Sequence, residues 1–163
     1  YSYPSSEELE KFKIKSIFLG YFEKWDSLRN YEISKKNGFT EHDNLEGCYF
    51  NFEKIDNYQH GIHDYFKYLK FGFGRATDQL CYMIRKKLIS RKEAVDIVKK
   101  IEGKFPQTYM GKSIEDILKK INLPLKEFHL ICEKFTNKKI FKTNQAGLLV
   151  YDEKGNLEKK SNY

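Results

Sequence analysis

Residues 57–78, NYQHGIHDYFKYLKFGFGRATD, are the least generic stretch of the chain and decide our interpretation of its fold. Apolar side chains fall near the i, i+4 and i+7 positions of one helical face at Ile62, Phe66 and Leu69. Gly72 and Gly74 interrupt that pattern, because glycine is a poor helix former. The stretch therefore predicts a helix, a glycine turn and the start of a second helix.

A basic stripe runs along the first of these helices, apart from its apolar face. His63, Lys67 and Lys70 are spaced i, i+4 and i+7, so they share one side of the helix. One interpretation is an ordinary amphipathic helix with a solvated basic face. The other is a positively charged wall that binds an anionic ligand.

The start of the second helix is a candidate anion site. Glycines let a backbone approach a ligand closely, and free N–H groups at a helix start favour an anion. Arg75 adds a fork of donors suited to phosphate or carboxylate. Alternatively, Thr77 or Asp78 caps the helix and satisfies those N–H groups. The candidate substrate- or anion-binding residues are His63, Lys67, Lys70, Gly72, Gly74, Arg75, Thr77 and Asp78.

No phosphate-binding motif accompanies this turn. The GxxxxGK[ST] loop is missing, and the GFGRA stretch lacks the third glycine of the dinucleotide fingerprint. No catalytic residue is assignable from these patterns.

Further helices are predicted on the carboxy-terminal side. Ser90-x-x-Glu93 is a capping box that opens a helix closed by Gly103, and Ser113-x-x-Asp116 opens the next. Pro124 begins another, since proline is well tolerated in a first turn. A terminal hairpin is predicted from two short segments around the polar turn 152–155: residues 147–151 and 157–160.

The amino-terminal side predicts a mixture of helix and strand. Ser5 to Glu8 resembles a capping box, and Asp26 caps a predicted helix that runs to Lys36. The apolar run IKSIFLGY, residues 14–21, predicts a buried strand, and residues 48–52 predict a second. Because two such pieces make no stable sheet alone, we expect them to complete a sheet begun upstream. The segment is thus mainly α with a few short strands.

Composition excludes several classes of protein. No apolar run reaches the roughly 18 residues that a membrane helix needs, and the three scattered cysteines and four histidines show no zinc spacing, so no metal site is predicted. The net charge of +7 is spread among 23 acidic residues, which favours a solvated surface over a nucleic-acid footprint. A basic, aromatic-rich RNA-binding module and a helical interaction domain without catalysis remain as alternatives.

Several collinear runs resemble the N-acetyl sugar amidotransferase family, which are PP-loop proteins of pseudaminic acid and lipopolysaccharide biosynthesis. The similarity covers roughly residues 3 to 142, and HDYFKYLKFGFGRATD, residues 63–78, is its most distinctive part. The runs are IFLGYFEKWD (17–26), NYQHGIHDYFKYLKFGFGRATDQ (57–79), SRKEAVDIVKKIEGKFP (90–106) and FTNKKIF (135–141).

The resemblance implies a Rossmann-like α/β ATP-pyrophosphatase fold overall and a cytoplasmic enzyme. ATP, with Mg²⁺, would activate the acetamido carbonyl of a sugar or nucleotide-sugar by adenylation. Ammonia from a glutaminase resembling the HisH–HisF pair of histidine biosynthesis would then displace AMP and leave an acetamidino group. The implied domains are the end of the ATP-pyrophosphatase-like domain (1–56), a helical region (57–142) and a tail with a hairpin (143–163).

One departure from the family pattern is large. The pyrophosphate-binding signature SGGxDS and the family's cysteine-containing amino-terminal segment are missing. We therefore expect this chain to be the carboxy-terminal part of a longer enzyme and to catalyse nothing alone. Residues 63–78 would then form the carboxy-terminal wall of the active cleft.

Overall fold

The computed structural model describes residues 3–161, which divide into two compact units between residues 40 and 41. The first unit holds α1 (Ser6–Lys11), a single 3-10 turn (Leu19–Tyr21) and α2 (Ser27–Lys36). Both bonds of the predicted capping box at the start of α1 are present, and Asp26 caps α2 by accepting from the Arg29 N–H. These two helix starts are confirmed.

The predicted strand over residues 14–21 is wrong. Within the described residues this segment has no ladder partner: residues 14–18 are irregular, and residues 19–21 form the 3-10 turn. A strand without a neighbour leaves its N–H and C=O groups unpaired, so the isolated sequence pattern does not produce one. The apolar side chains of residues 12–25 are correspondingly exposed, and none of residues 3–40 that the structure describes is buried.

The second unit begins with an irregular segment, which is followed by three helices. α3 (His60–Phe71) and α4 (Arg75–Arg85) flank the glycine turn, and α5 (Arg91–Ile101) packs against α4. The predicted strand at 48–52 is also wrong, because the N–H groups of Tyr49 and Phe50 bond to the Gln79 side chain rather than to a neighbouring strand.

A short antiparallel hairpin follows α5, a feature that we did not predict. β1 (Thr108–Tyr109) pairs with β2 (Lys112–Ser113), which leads directly into α6 (Ile114–Lys119). α7 (Leu125–Phe135) then packs against α3. Beyond it, an isolated antiparallel bridge joins Tyr151 to Leu157 across the turn 152–155, as predicted for the terminal hairpin, and a further bridge joins Phe141 to Lys159.

The main core lies between α3, α6, α7 and the terminal hairpin. Its fully buried members are large apolar side chains, among them Leu69, Leu118, Phe128 and Phe141. A second cluster joins the irregular segment to β1 through Leu45, Cys48 and Tyr109, and a third joins α4 to α5. The prediction of a mainly α segment with few strands is confirmed, whereas the Rossmann-like fold and the domain boundaries at 56 and 142 stay predictions.

Candidate functional site

The turn between α3 and α4 is built as the sequence predicted, but its glycines have packing reasons. Gly72 caps α3 in the left-handed conformation, with φ of 76°, where a side chain is strained. A Cβ there would also lie 2.9 Å from Cγ2 of Ile140, and one at Gly74 would lie 3.2 Å from the Glu102 carboxyl group. Helix capping and close packing therefore account for both glycines without any ligand.

A buried carboxylate, Asp64 on α3, holds this turn together. Its side chain accepts from Arg75 through Nε and Nη2, at 3.4 Å each, and from Nδ1 of His63 at 2.9 Å. Asp64 is only 8% exposed, and a buried charge is tolerated when it is paired and hydrogen-bonded. Asp64 thus fixes one residue from each of the two helices.

Arg75 is shared between two carboxylates. Besides Asp64, its Nη1 lies 3.5 Å from Oδ2 of Asp78, which also accepts from Nζ of Lys67. Burial lowers the pKa of Arg75, but the attraction of Asp64, Asp78 and Glu53 outweighs it and raises the pKa above its usual value. The four groups form a network of alternating charges, in which each positive side chain has a carboxylate partner.

Glu102, from the end of α5, occupies the anion position that the sequence predicted at the start of α4. Its carboxylate accepts from the N–H and from the hydroxyl of Thr77. Neither Thr77 nor Asp78 caps the helix, although both were candidates, and Gly74 offers no side chain to do so. An internal carboxylate is therefore the anion at this helix start.

The two lysines of the basic stripe stand over aromatic rings. Lys67 stands over the ring of Phe73 and Lys70 over that of Phe135, both at 4.8 Å, as expected of favourable cation–π contacts. His63 is 64% exposed. None of the three lines the cleft between α3, α5 and the start of β1, but His63 contacts Asp64, which does line it.

Asp64, Gly74 and Arg75 line a cleft of about 390 Å³ between α3, α5 and the start of β1. Gly103 and Thr108 also line it. A second cavity of about 600 Å³ adjoins it, since both are lined by Tyr65, Lys104, Phe105 and Gln107. Its wall carries Tyr151 and the stacked pair of Phe105 and His129, with ring centroids 4.6 Å apart.

The residues of the α3–α4 turn do not fit a triphosphate with its Mg²⁺. The Thr77 N–H at the α4 start is already bonded to Glu102, and the two carboxylates of the turn are paired with Arg75 and Lys67. Among residues 3–161, no group of three or more His, Cys, Asp or Glu side chains is arranged to hold a metal ion. Within the same residues, no helix has the length and apolar character to cross a membrane.

Sequence reasoning missed three residues that organise the site: Asp64, Glu102 and Gln79. Asp64 stood beside a candidate histidine, but nothing local showed that it would be buried. Glu102 reaches Thr77 across 25 positions, and Gln79 reaches Tyr49 across 30. Contacts at such separations leave no periodic signal in one sequence.

In a comparison with known protein families, one family model matches the chain. The model of the family described as LPS biosynthesis protein WbpG-like, C-terminal domain, matches residues 46–154, which is more than half of the chain. The match includes α3, the glycine turn, the cleft lining apart from Asn44 and Leu45, and the first half of the terminal hairpin. No curated protein matches the chain.

Proposed function

Because the chain belongs to the family of WbpG-like lipopolysaccharide biosynthesis proteins, matched in their C-terminal domain, we propose that it is part of an ATP-dependent amidotransferase. The enzyme converts the acetamido group of a sugar or nucleotide-sugar into an acetamidino group. The product serves bacterial surface polysaccharides or nonulosonic acids such as pseudaminic acid.

One observation carries this proposal. Residues 57–79, the stretch that most resembles the sugar amidotransferases, lie inside the family match and form the charged turn of Asp64, Arg75, Asp78 and Lys67. The turn places a buried aspartate and the arginine that it holds at the edge of a cleft, and ligand sites are commonly clefts with a few convergent charged groups. The resemblance and the geometry therefore favour the same residues.

The proposed reaction exchanges one bond at the acetamido carbon. Adenylation of the carbonyl oxygen turns a poor leaving group into AMP, with release of pyrophosphate. Ammonia then bonds to the carbon while the bond from carbon to the adenylated oxygen breaks. We assign the ammonia to a separate HisH–HisF-like glutaminase and the reaction to the cytoplasm, where ATP is available.

In this proposal the chain forms one wall of the substrate cleft. ATP and Mg²⁺ are assigned to the pyrophosphate-binding loop of an upstream domain, since the residues of the α3–α4 turn do not fit them. Arg75 faces the cleft, and we assign it to an anionic group of the sugar substrate or nucleotide. Asp64 and Asp78 engage three of the five N–H donors of Arg75, which leaves two for such a group. A lysine ammonium lacks this planar arrangement of donors.

The test is steady-state kinetics of the full-length enzyme with ATP, Mg²⁺, an acetamido sugar and an ammonium salt, so that the glutaminase is not needed. Pyrophosphate release and the mass of the product, in which an NH group replaces oxygen, report the reaction. Loss of one charged hydrogen bond costs about 1.5–3 kcal/mol. Arg75→Lys should therefore lower kcat/KM by roughly 10- to 150-fold.

The matched control is Arg91→Lys, which makes the same exchange at an exposed residue that opens α5. It should leave kcat/KM unchanged. Absence of product from the wild-type enzyme would refute the proposed activity. Wild-type kinetics in both Arg75→Lys and Arg75→Ala would leave the activity standing and refute the role of Arg75. The isolated chain should release no pyrophosphate.

A further inference from the structure

His63 and Asp64 form a histidine–carboxylate pair whose proton arrangement is set by the structure. The Asp64 carboxylate is bound by Arg75 and can only accept hydrogen bonds. The His63 nitrogen that faces it, Nδ1 at 2.9 Å, must therefore carry the proton. In the neutral ring this leaves Nε2 without a proton, as an acceptor.

The carboxylate is immobilised, whereas the imidazole is open to solvent. Two contacts of 3.4 Å join Asp64 to Arg75, and Asp78 holds Arg75 from its other side. The His63 side chain is 64% exposed. A buried, ion-paired aspartate that orients an imidazole also holds the histidine of the Ser-His-Asp triad in position to accept a proton.

A second histidine on the same helix shows that this arrangement is not a general property of α3. His60 also lies 2.9 Å from a carboxylate oxygen, that of Asp56, but through Nε2. The Asp56 side chain is 83% exposed and the His60 side chain only 22%. The burial of the two partners is thus reversed relative to His63 and Asp64.

Asp64 lines the cleft, and His63 contacts it, so His63 lies at the edge of the cleft. We infer that Nε2 of His63 is the proton acceptor in the amination step, an inference that rests on the proposed function. As the ammonia nitrogen bonds to the acetamido carbon, it gains positive charge and must lose a proton. That proton passes to Nε2, while the bond from carbon to the adenylated oxygen breaks and AMP leaves with the electron pair. Asp64 is a positioning residue, which stabilises the imidazolium that forms.

The kinetic test uses the full-length enzyme with ammonia supplied directly. His63→Gln removes the proton acceptor at an exposed position, so the fold is preserved. Loss of a general base typically lowers the rate by roughly 100- to 10,000-fold, and we expect that loss in kcat with little change in the KM for the sugar. Added imidazole should restore part of the lost kcat. His60→Gln is the matched control and should retain wild-type kcat.

A second test needs no turnover and uses the chain itself. Nitrogen-15 NMR of the neutral His63 ring should show the proton on Nδ1, and Asp64→Asn should weaken that preference. A proton on Nε2 in the wild-type chain would overturn the inference. So would unchanged kcat in His63→Gln while wild-type product forms, which would leave the proposed function intact. An inactive wild-type enzyme would instead remove the reaction itself, and the role of His63 in it.

Discussion

Replacement of Gln79 by methionine tests how the irregular segment before α3 is held against α4. Gln79 is only 4% exposed. Its Oε1 accepts from the N–H groups of Tyr49 and Phe50, at 2.6 and 3.2 Å, and its Nε2 donates to Glu53 at 2.9 Å. Methionine has a similar length and fills the same space, but it can make none of these three bonds.

The expected loss of stability follows from the two backbone donors left behind. A buried donor without a partner costs about 1–3 kcal/mol. Phe50 is buried and its N–H would bear that cost in full, whereas Tyr49 is half-buried and its N–H can partly regain water. We therefore expect the free energy of unfolding to fall by about 2–4 kcal/mol.

Urea unfolding followed by helical circular dichroism measures this loss. With a slope of about 2 kcal/mol per molar urea, the middle of the usual range, the midpoint should fall by roughly 1–2 M. The matched control is Gln145→Met, the same exchange at an exposed turn, which should leave the midpoint unchanged. Equal midpoints for the two variants would refute the claim that Gln79 anchors the segment.

Three further predictions concern packing and ionisation. Gly61→Ala places a Cβ 2.7 Å from the buried Tyr109 ring. The resulting overpacking should lower the free energy of unfolding by a net ~1–2 kcal/mol, despite the gain in helix propensity. An unchanged urea midpoint would contradict this. Iodoacetamide should label Cys81 alone in the native chain, because it is exposed while Cys48 and Cys132 are buried; a second label before unfolding would be the contrary result. Burial raises the pKa of both buried thiols, Cys48 and Cys132, from 9.0 to about 12. Their contribution to stability is therefore complete below pH 9 and is lost as the pH rises toward 12. The urea midpoint, measured at increasing alkaline pH, should show that decline, and a midpoint independent of pH would exclude it.

The helices were predictable because their signals are local. The capping box of Ser90 and Glu93 requires residues three positions apart, and both of its bonds are present. At the start of α6 one such bond is present, since the Ser113 hydroxyl accepts from the Asp116 N–H. An N-cap and an apolar stripe specify a helix before any tertiary contact is known.

Strands and site geometry were less predictable because their determinants are distant. An apolar, β-branched run such as residues 14–21 suits a strand only when another strand pairs with it, and a single sequence does not show that partner. The charged turn was located from its residue types, yet the arrangement depends on which acid meets which base. Arg75 has Asp64 and Asp78 within reach, but Glu102, an equally plausible acid, bonds to Thr77 instead.

The exposed apolar segment of residues 12–25 includes Trp25, the single tryptophan of the chain, which is 77% exposed. An indole in water emits at longer wavelength than one in an apolar environment. The emission of the isolated chain therefore reports solvent at this segment. A protein surface that covers the segment would shift that emission to the blue, so Trp25 is an intrinsic fluorescent probe of binding at this segment.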